Sequence, residues 1–151
     1  MKRILTLVAL PLVFAAGFCC ARSMPVVHAA PPPMTPQIIN LLSMPDTAIG
    51  DVRPGTNIRS KIVAVADGAT VSVQSGDVAK HFHADADEIQ YIVEGSGKFT
   101  LGDTIRDIKP GDLIIIPKGT THAGSQALSG RFRAIAFKTP PQAADDVHPV
   151  P

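Results

Sequence analysis

The chain has 151 residues, of which 45% are hydrophobic and 18% charged, with a formal net charge of +1 and two cysteines. That length suits one domain with its own core, and the near-neutral charge excludes the broad basic surface a nucleic-acid binder needs.

The amino terminus reads Met1-Lys2-Arg3 and then runs apolar from Ile4 to Phe18, a basic start and hydrophobic stretch of secretory-signal length. Residues 1–29 are therefore expected to be a signal peptide. Val27-His28-Ala29 offers a small-residue cleavage site before Ala30, and the destination is periplasmic or secreted. A lipid on Cys19 or Cys20 fits less well, because Phe18 crowds the approach to them. An uncleaved anchor would need ~20 apolar residues, slightly more than the run supplies. Both cysteines lie in this leader, so disulfides do not hold the mature chain. Three of the 14 basic residues, Lys2, Arg3 and Arg22, leave with it, so 11 remain against 13 acidic residues, a net charge near −2. No nucleic acid, and no membrane once the signal is cleaved, is expected as a partner.

Residues 30–58 read as a proline-rich linker, a short helix and an amino-terminal arm. Thr35-Pro36 looks like the helix start, a hydroxyl cap with proline in the first turn and Ile38, Ile39, Leu41 and Leu42 on the apolar side. From Arg59 the pattern changes to strands: 61–66, 70–74, 88–94, 98–101, 104–108, 113–116 and 132–138. Gly95-Ser96-Gly97 and Leu101-Gly102-Asp103 are turn chemistries between them. Pro117-Lys118-Gly119 ends the run Leu113 to Ile116, since proline cannot continue a central ladder. Many short strands at close spacing predict an antiparallel sandwich or barrel over 59–139. Residues 140–151 are expected to form a flexible tail, His148 included.

Within the strands, His81 and His83 stand two apart, so both project to one face while Phe82 faces away. Glu88 and His122 add a carboxylate and a third imidazole. Such a set suits Fe, Mn, Ni, Cu, Co or Zn and leaves positions open for water or substrate, whereas a structural zinc site would be closed. Asp85 and Asp87 read as solvated loop acids. Parity along 88–94 puts Gln90 and Ile92 on the ligand face and Tyr91 and Val93 opposite. Phe99 and Phe132 read as packing residues.

With their punctuation, these residues form two blocks. The first is Gly76-x4-His81-x-His83-x4-Glu88-x6-Gly95 and the second is Gly111-x5-Pro117-x-Gly119-x2-His122-x3-Gln126. The pair resembles the signature of the cupin superfamily, in its single-domain, type-2-like form. The resemblance implies an all-β fold, a small antiparallel jelly-roll barrel preceded here by a short helix. It also implies metal ligation by His81, His83, Glu88 and His122. Gly76 stands one residue closer to His81 than the family pattern has it, and Gln126 replaces the usual asparagine. Neither departure falls on a ligand position. The family's habit of pairing implies a homodimer through the segment from Thr35 to Val65.

The expected function is that of an exported metal-binding protein, an enzyme of dioxygenase- or oxidase-like chemistry on a small molecule. The alternative is a non-catalytic periplasmic metal or small-ligand binder. No organic cofactor is expected, and the fold does not name the reaction. Gln90 and Tyr91 are the candidates for polar groups beside the ligands, and the scarcity of other acids and bases there favours chemistry done by the metal itself.

Overall fold

The structure, a computed structural model, describes residues 34–66 and 68–151, with the backbone alone at Ser125 and Gln126. The expected leader, with Cys19 and Cys20, the start of the linker and the Gln126 side chain lie outside the described residues.

One short helix, α1 (Asp46–Ile49), precedes eight strands: β1 (Arg59–Ala66), β2 (Ala69–Ser75), β3 (His81–Phe82), β4 (Asp87–Leu101), β5 (Thr104–Ile108), β6 (Leu113–Ile116), β7 (His122–Thr139) and β8 (His148–Pro149). All the pairings are antiparallel. β4 and β7 pair along most of their length, from Asp87 opposite Thr139 to Leu101 opposite His122, with bulges near Ile92 and Lys98. Their outer halves then join different neighbours. β7 carries β2 and β1 on one half and begins beside β3 and β8 on the other, while β4 carries β6 and then β5. The result is one curled sheet folded on itself, the jelly-roll barrel.

The expected turn at Gly95-Ser96-Gly97 is instead a bend inside β4. Gly95 has φ +84°, and a Cβ there would lie 2.3 Å from the Arg131 carbonyl oxygen, so only glycine lets the two long strands approach as they curl. Gly76, the glycine displaced in the first block, is equally constrained, with φ +107° and a Cβ position 2.0 Å from the Asn57 oxygen. The Gly102-Asp103 turn is where the sequence places it, between Leu101 and Thr104 of the β4–β5 pair.

The helix expected from Thr35 is absent. Residues 34–40 have no regular secondary structure, and the Asn40 side chain accepts hydrogen bonds from the Leu42 and Ser43 amides, closing a turn that competes with a helix. Ile38 and Leu42 are exposed, so no core rewards a helical face there. The single turn of α1 lies farther on, between Pro45 and Gly50, and seats Ile49 in the core against β1 and β2.

Between the halves of the curl, Ile92, Phe99, Ile108, Ile114, Ile116, Phe132 and Ala134 form the main core, which confirms the packing role of both phenylalanines. Each large side chain of this kind stabilises the fold by about 1.5–3 kcal/mol on burial. The core fills one end of the barrel and leaves the other for polar groups.

The carboxy-terminal segment is not a loose tail. β8 pairs with β3, His81 opposite Pro149 and Phe82 opposite His148, and the Phe82 and His148 rings stack at 4.8 Å. No helix among the described residues is long and apolar enough to cross a membrane.

Candidate metal centre

Strand parity delivers the site. Along β4, Glu88, Gln90 and Ile92 turn inward, while Tyr91 points out and is 40% exposed. Gln90 thus lies on the inward face beside Glu88, and Tyr91 lies on the outer face. His81 on β3 faces His122 at the start of β7, and His83 follows just beyond the strand. Local chemistry of the second block sets the entry of His122. Thr120 closes a turn onto the Pro117 carbonyl, and the Gly119 amide donates to the His83 carbonyl at 2.6 Å, which ties the two blocks together.

His81, His83, Glu88 and His122 are all buried, and one potential ligand atom from each lies within 4.8 Å of the others. Asp85 and Asp87 are exposed and outside the cluster, Asp87 accepting the Lys118 amide at 2.8 Å. His148 is also outside it, 3.6 Å from Asp146.

Each imidazole is oriented in the same way. Nδ1 of His81 donates to the Ala79 carbonyl at 2.7 Å, Nδ1 of His122 to the Thr120 carbonyl at 3.0 Å, and Nδ1 of His83 to the carbonyl of Asp146. A carbonyl oxygen only accepts, so Nδ1 carries a proton, and the neutral form of each ring then turns its Nε2 lone pair inward. That is the arrangement in which histidines bind metals. Glu88 Oε2 lies 3.0 Å from His83 Nε2 and 3.3 Å from His122 Nε2, acceptor facing acceptor. His122 Nε2 is buried without a hydrogen-bond partner. A cation among these atoms would satisfy them all, and the donor set fits a divalent transition metal.

The titration behaviour agrees with this arrangement. Burial lowers the His81 pKa to about 4, against the pull of the Ala79 carbonyl, and the neighbouring imidazoles add to the effect. Burial alone would raise Glu88. It is nonetheless held below the ordinary carboxylate range, because the Lys138 ammonium and the Gln90 amide favour its charged form. The Gln90 amide donates to Glu88 Oε1 at 2.9 Å.

Two residues that sequence reasoning missed complete the site. Lys138, inward-facing near the end of β7, places Nζ 3.1 Å from His83 Nε2 and 3.4 Å from Glu88 Oε2, and donates to the Gln142 side chain. Burial lowers its pKa, opposed by Glu88. The site therefore does hold a strong polar group beyond Gln90. Inward parity from Phe132 through Ala134 and Ala136 was the signal that could have found it. The second is Asp146, 3% exposed, whose carboxylate accepts the amides of Ala84, Asp85 and Ala86 at 2.6, 3.1 and 3.1 Å. Its side chain fixes the loop after His83, and its carbonyl orients the His83 ring.

Beside the cluster is a cavity of about 570 Å³, lined by His81, His83, Glu88 and Gln90 together with residues of β1, β2 and the segment 142–149. A more open hollow around Gly55, Asn57, Asp77 and Lys80 contains none of the four ligands.

A family model described as the cupin domain matches residues 63–136. Acireductone dioxygenase of Stenotrophomonas maltophilia is 44% identical over 66 residues, which cover 41% of this chain and 35% of that protein. The chain spans about a third of the length of the curated relatives it matches. Among solved structures, KdgF from Halomonas sp. superposes with a TM-score of 0.55 at 28% identity, covering 61% of this chain and 86% of that one. The nucleoside dehydratase Pac13 of Streptomyces superposes with a TM-score of 0.52 at 22% identity, covering 63% and 79%, a likeness of fold alone.

Proposed function

The chain belongs to the cupin superfamily, and from that premise we propose that it is an exported, metal-dependent enzyme whose chemistry on a small molecule is dioxygenase- or oxidase-like. His81, His83, Glu88 and His122 would hold the ion. The observation that carries this reading is the inward ring of imidazole lone pairs around an ionised, buried carboxylate, with His122 Nε2 left unpartnered. When bound, a transition metal would supply Lewis acidity and, for iron, manganese or copper, one-electron chemistry with dioxygen.

The protein's own residues have defined tasks. The carbonyls of Ala79, Thr120 and Asp146 hold the rings in the ligating tautomer, and Gln90 steadies Glu88. Ile58 and Val78 give the cavity an apolar wall beside these groups. The stretch of likeness to acireductone dioxygenase supports oxidation over the dehydration run by Pac13 on a similar barrel, although only about a third of that relative is matched.

The test is elemental analysis of protein purified from its native compartment, followed by dioxygen uptake of the iron-loaded form with enediols, catechols, flavonols and thiols. Retained metal with no uptake on any of these would move the reading to a metal or small-ligand binder. Glu88→Gln should weaken metal binding more than tenfold, about 1.4 kcal/mol. Unchanged affinity would remove Glu88 from the ligand set.

The proposal of export rests on the basic start, apolar run and small-residue site at Ala29. Amino-terminal sequencing of the native protein should begin at Ala30. A homodimer is part of the same proposal, supported by Tyr91, Leu113, Ile115 and Phe137, an exposed apolar patch across β6, β4 and β7. Light scattering on the purified protein checks it.

A further inference from the structure

We propose that the cavity takes a small, doubly acidic chelating anion, with Lys138 as its anchor beside the metal and Arg53 and Lys80 as attracting charges at the rim. This rests on the metal-site reading and adds to it the charge and shape of the ligand.

The ammonium group of Lys138 is hydrogen-bonded inside the site. Its Nζ meets three acceptors, Glu88 Oε2 at 3.4 Å, His83 Nε2 at 3.1 Å and the Gln142 side-chain oxygen, which matches the three donors of an ammonium group. Two of those acceptors are metal ligands. Once a metal takes the one lone pair of His83 Nε2, Lys138 keeps Gln142 and the Glu88 carboxylate, which has lone pairs to spare, and the donor that faced His83 is left without an acceptor at the edge of the metal site. A buried, 8% exposed ammonium in that position needs a new acceptor.

Charge counting points the same way. Glu88 is the only acid among the described residues that line the cavity, against Arg53, Lys80 and Lys138. The one other buried acid near Lys138, Asp146, is already committed to three backbone amides. A divalent ion with Glu88 and Lys138 leaves an excess of two positive charges in a largely buried space, which a dianion would neutralise. The remaining walls suit such a ligand. Thr70, Ser72 and Gln74 offer hydroxyl and amide groups along β2, opposite the apolar Ile58 and Val78. A cavity of about 570 Å³ holds a small organic acid.

The test uses the whole purified protein loaded with nickel, desalted, and titrated calorimetrically with malonate and with its neutral analogue malonamide. Nickel content is measured before and after. We expect malonate to bind at least tenfold more tightly than malonamide, and Lys138→Met to lose at least tenfold in malonate affinity while retaining nickel. Arg53→Gln, on an exposed residue that leaves the fold intact, should lose about threefold and flatten the salt dependence of binding. Equal binding of malonate and malonamide overturns the proposal, as does unchanged malonate affinity in a nickel-loaded Lys138→Met protein. If Lys138→Met fails to fold, Arg53→Gln together with the malonate-to-malonamide ratio decides. Failure of wild-type protein to hold nickel overturns the metal site and this proposal together. Nickel retained without the anion preference overturns this proposal alone.

Discussion

Arg133 and Glu88 are both buried charged side chains, 0% and 1% exposed, on the two long strands that build the barrel, yet their surroundings differ in kind. Around Arg133 unlike charges meet. Its guanidinium donates to the Leu41 carbonyl and to Asp46 at 2.9 Å, with Glu94 at 3.9 Å and Ser75 also bonded to Asp46. Burial would raise Asp46, but Arg133 and Ser75 hold it below its usual value. This cluster balances its charges, although Nε of Arg133 and Nε of Arg131 make no hydrogen bond, and it pins the amino-terminal arm to the outer face of the sheet. Around Glu88 lone pairs converge on a carboxylate, and only Lys138 and Gln90 bring protons. A buried charge group that balances itself is architecture, whereas one arranged to accept a further cation is a site.

The largest effect is expected from Arg133→Ala. Loss of a fully buried guanidinium facing two acids should cost about 4 kcal/mol of stability in urea unfolding, while metal affinity of the folded fraction stays within about threefold. A large loss of metal affinity would show that the two clusters are coupled.

Acidification separates them next. His81 has its pKa lowered in the fold, from 6.5 to about 4, so above pH 6.5 neither folded nor unfolded chain is protonated there. As pH falls from 6.5 to 4 the unfolded chain takes up a proton that the folded chain refuses, and stability is lost. The loss is about 3 kcal/mol in metal-free protein. Glu88, also lowered, adds to it in the same direction at the acid end. Urea midpoints of metal-stripped protein at pH 7 and pH 4.5 measure this, and a His81→Gln protein should show a smaller drop.

Removing a ligand comes third. His81→Ala, His83→Ala or His122→Ala should each weaken metal binding by about a hundredfold, or about 2.7 kcal/mol, by competition with a chromophoric chelator. Asp146→Asn should have a smaller effect, about tenfold, because it loosens the loop of Ala84 to Ala86 and the His83 orientation without removing a ligand. The smallest effect is expected for His148→Ala, within twofold, since it stacks on Phe82 outside the cluster.

The inward direction of the candidate ligands was legible because its logic is local. His81, His83, Gln90 and Glu88 owe their common direction to the two-residue period of a strand, and the turns at Pro117 to Gly119 and at Gly102 follow from residue type. The helix near Thr35 was misplaced because cap chemistry was present but a surface to pack on was not, and Asn40 offered the backbone another partner. Gly95 looked like a turn because a positive φ serves a bend within a strand as well as a reversal.

The barrel class and the shared inward direction of His81 with His83 and of Glu88 with Gln90 were in the sequence, since each depends on neighbours a few residues apart, whereas His122 joins them through the pairing of β3 with β7. Only the tertiary structure decided that Lys138 stands 3.1 Å from His83, 55 positions away, and that the Asp146 carbonyl orients the same ring from the far end of the chain. Those contacts come from the register between β4 and β7 and from the docking of β8 on β3. Register and docking are set by which curled arrangement buries the core and satisfies the backbone, and no local pattern encodes that choice.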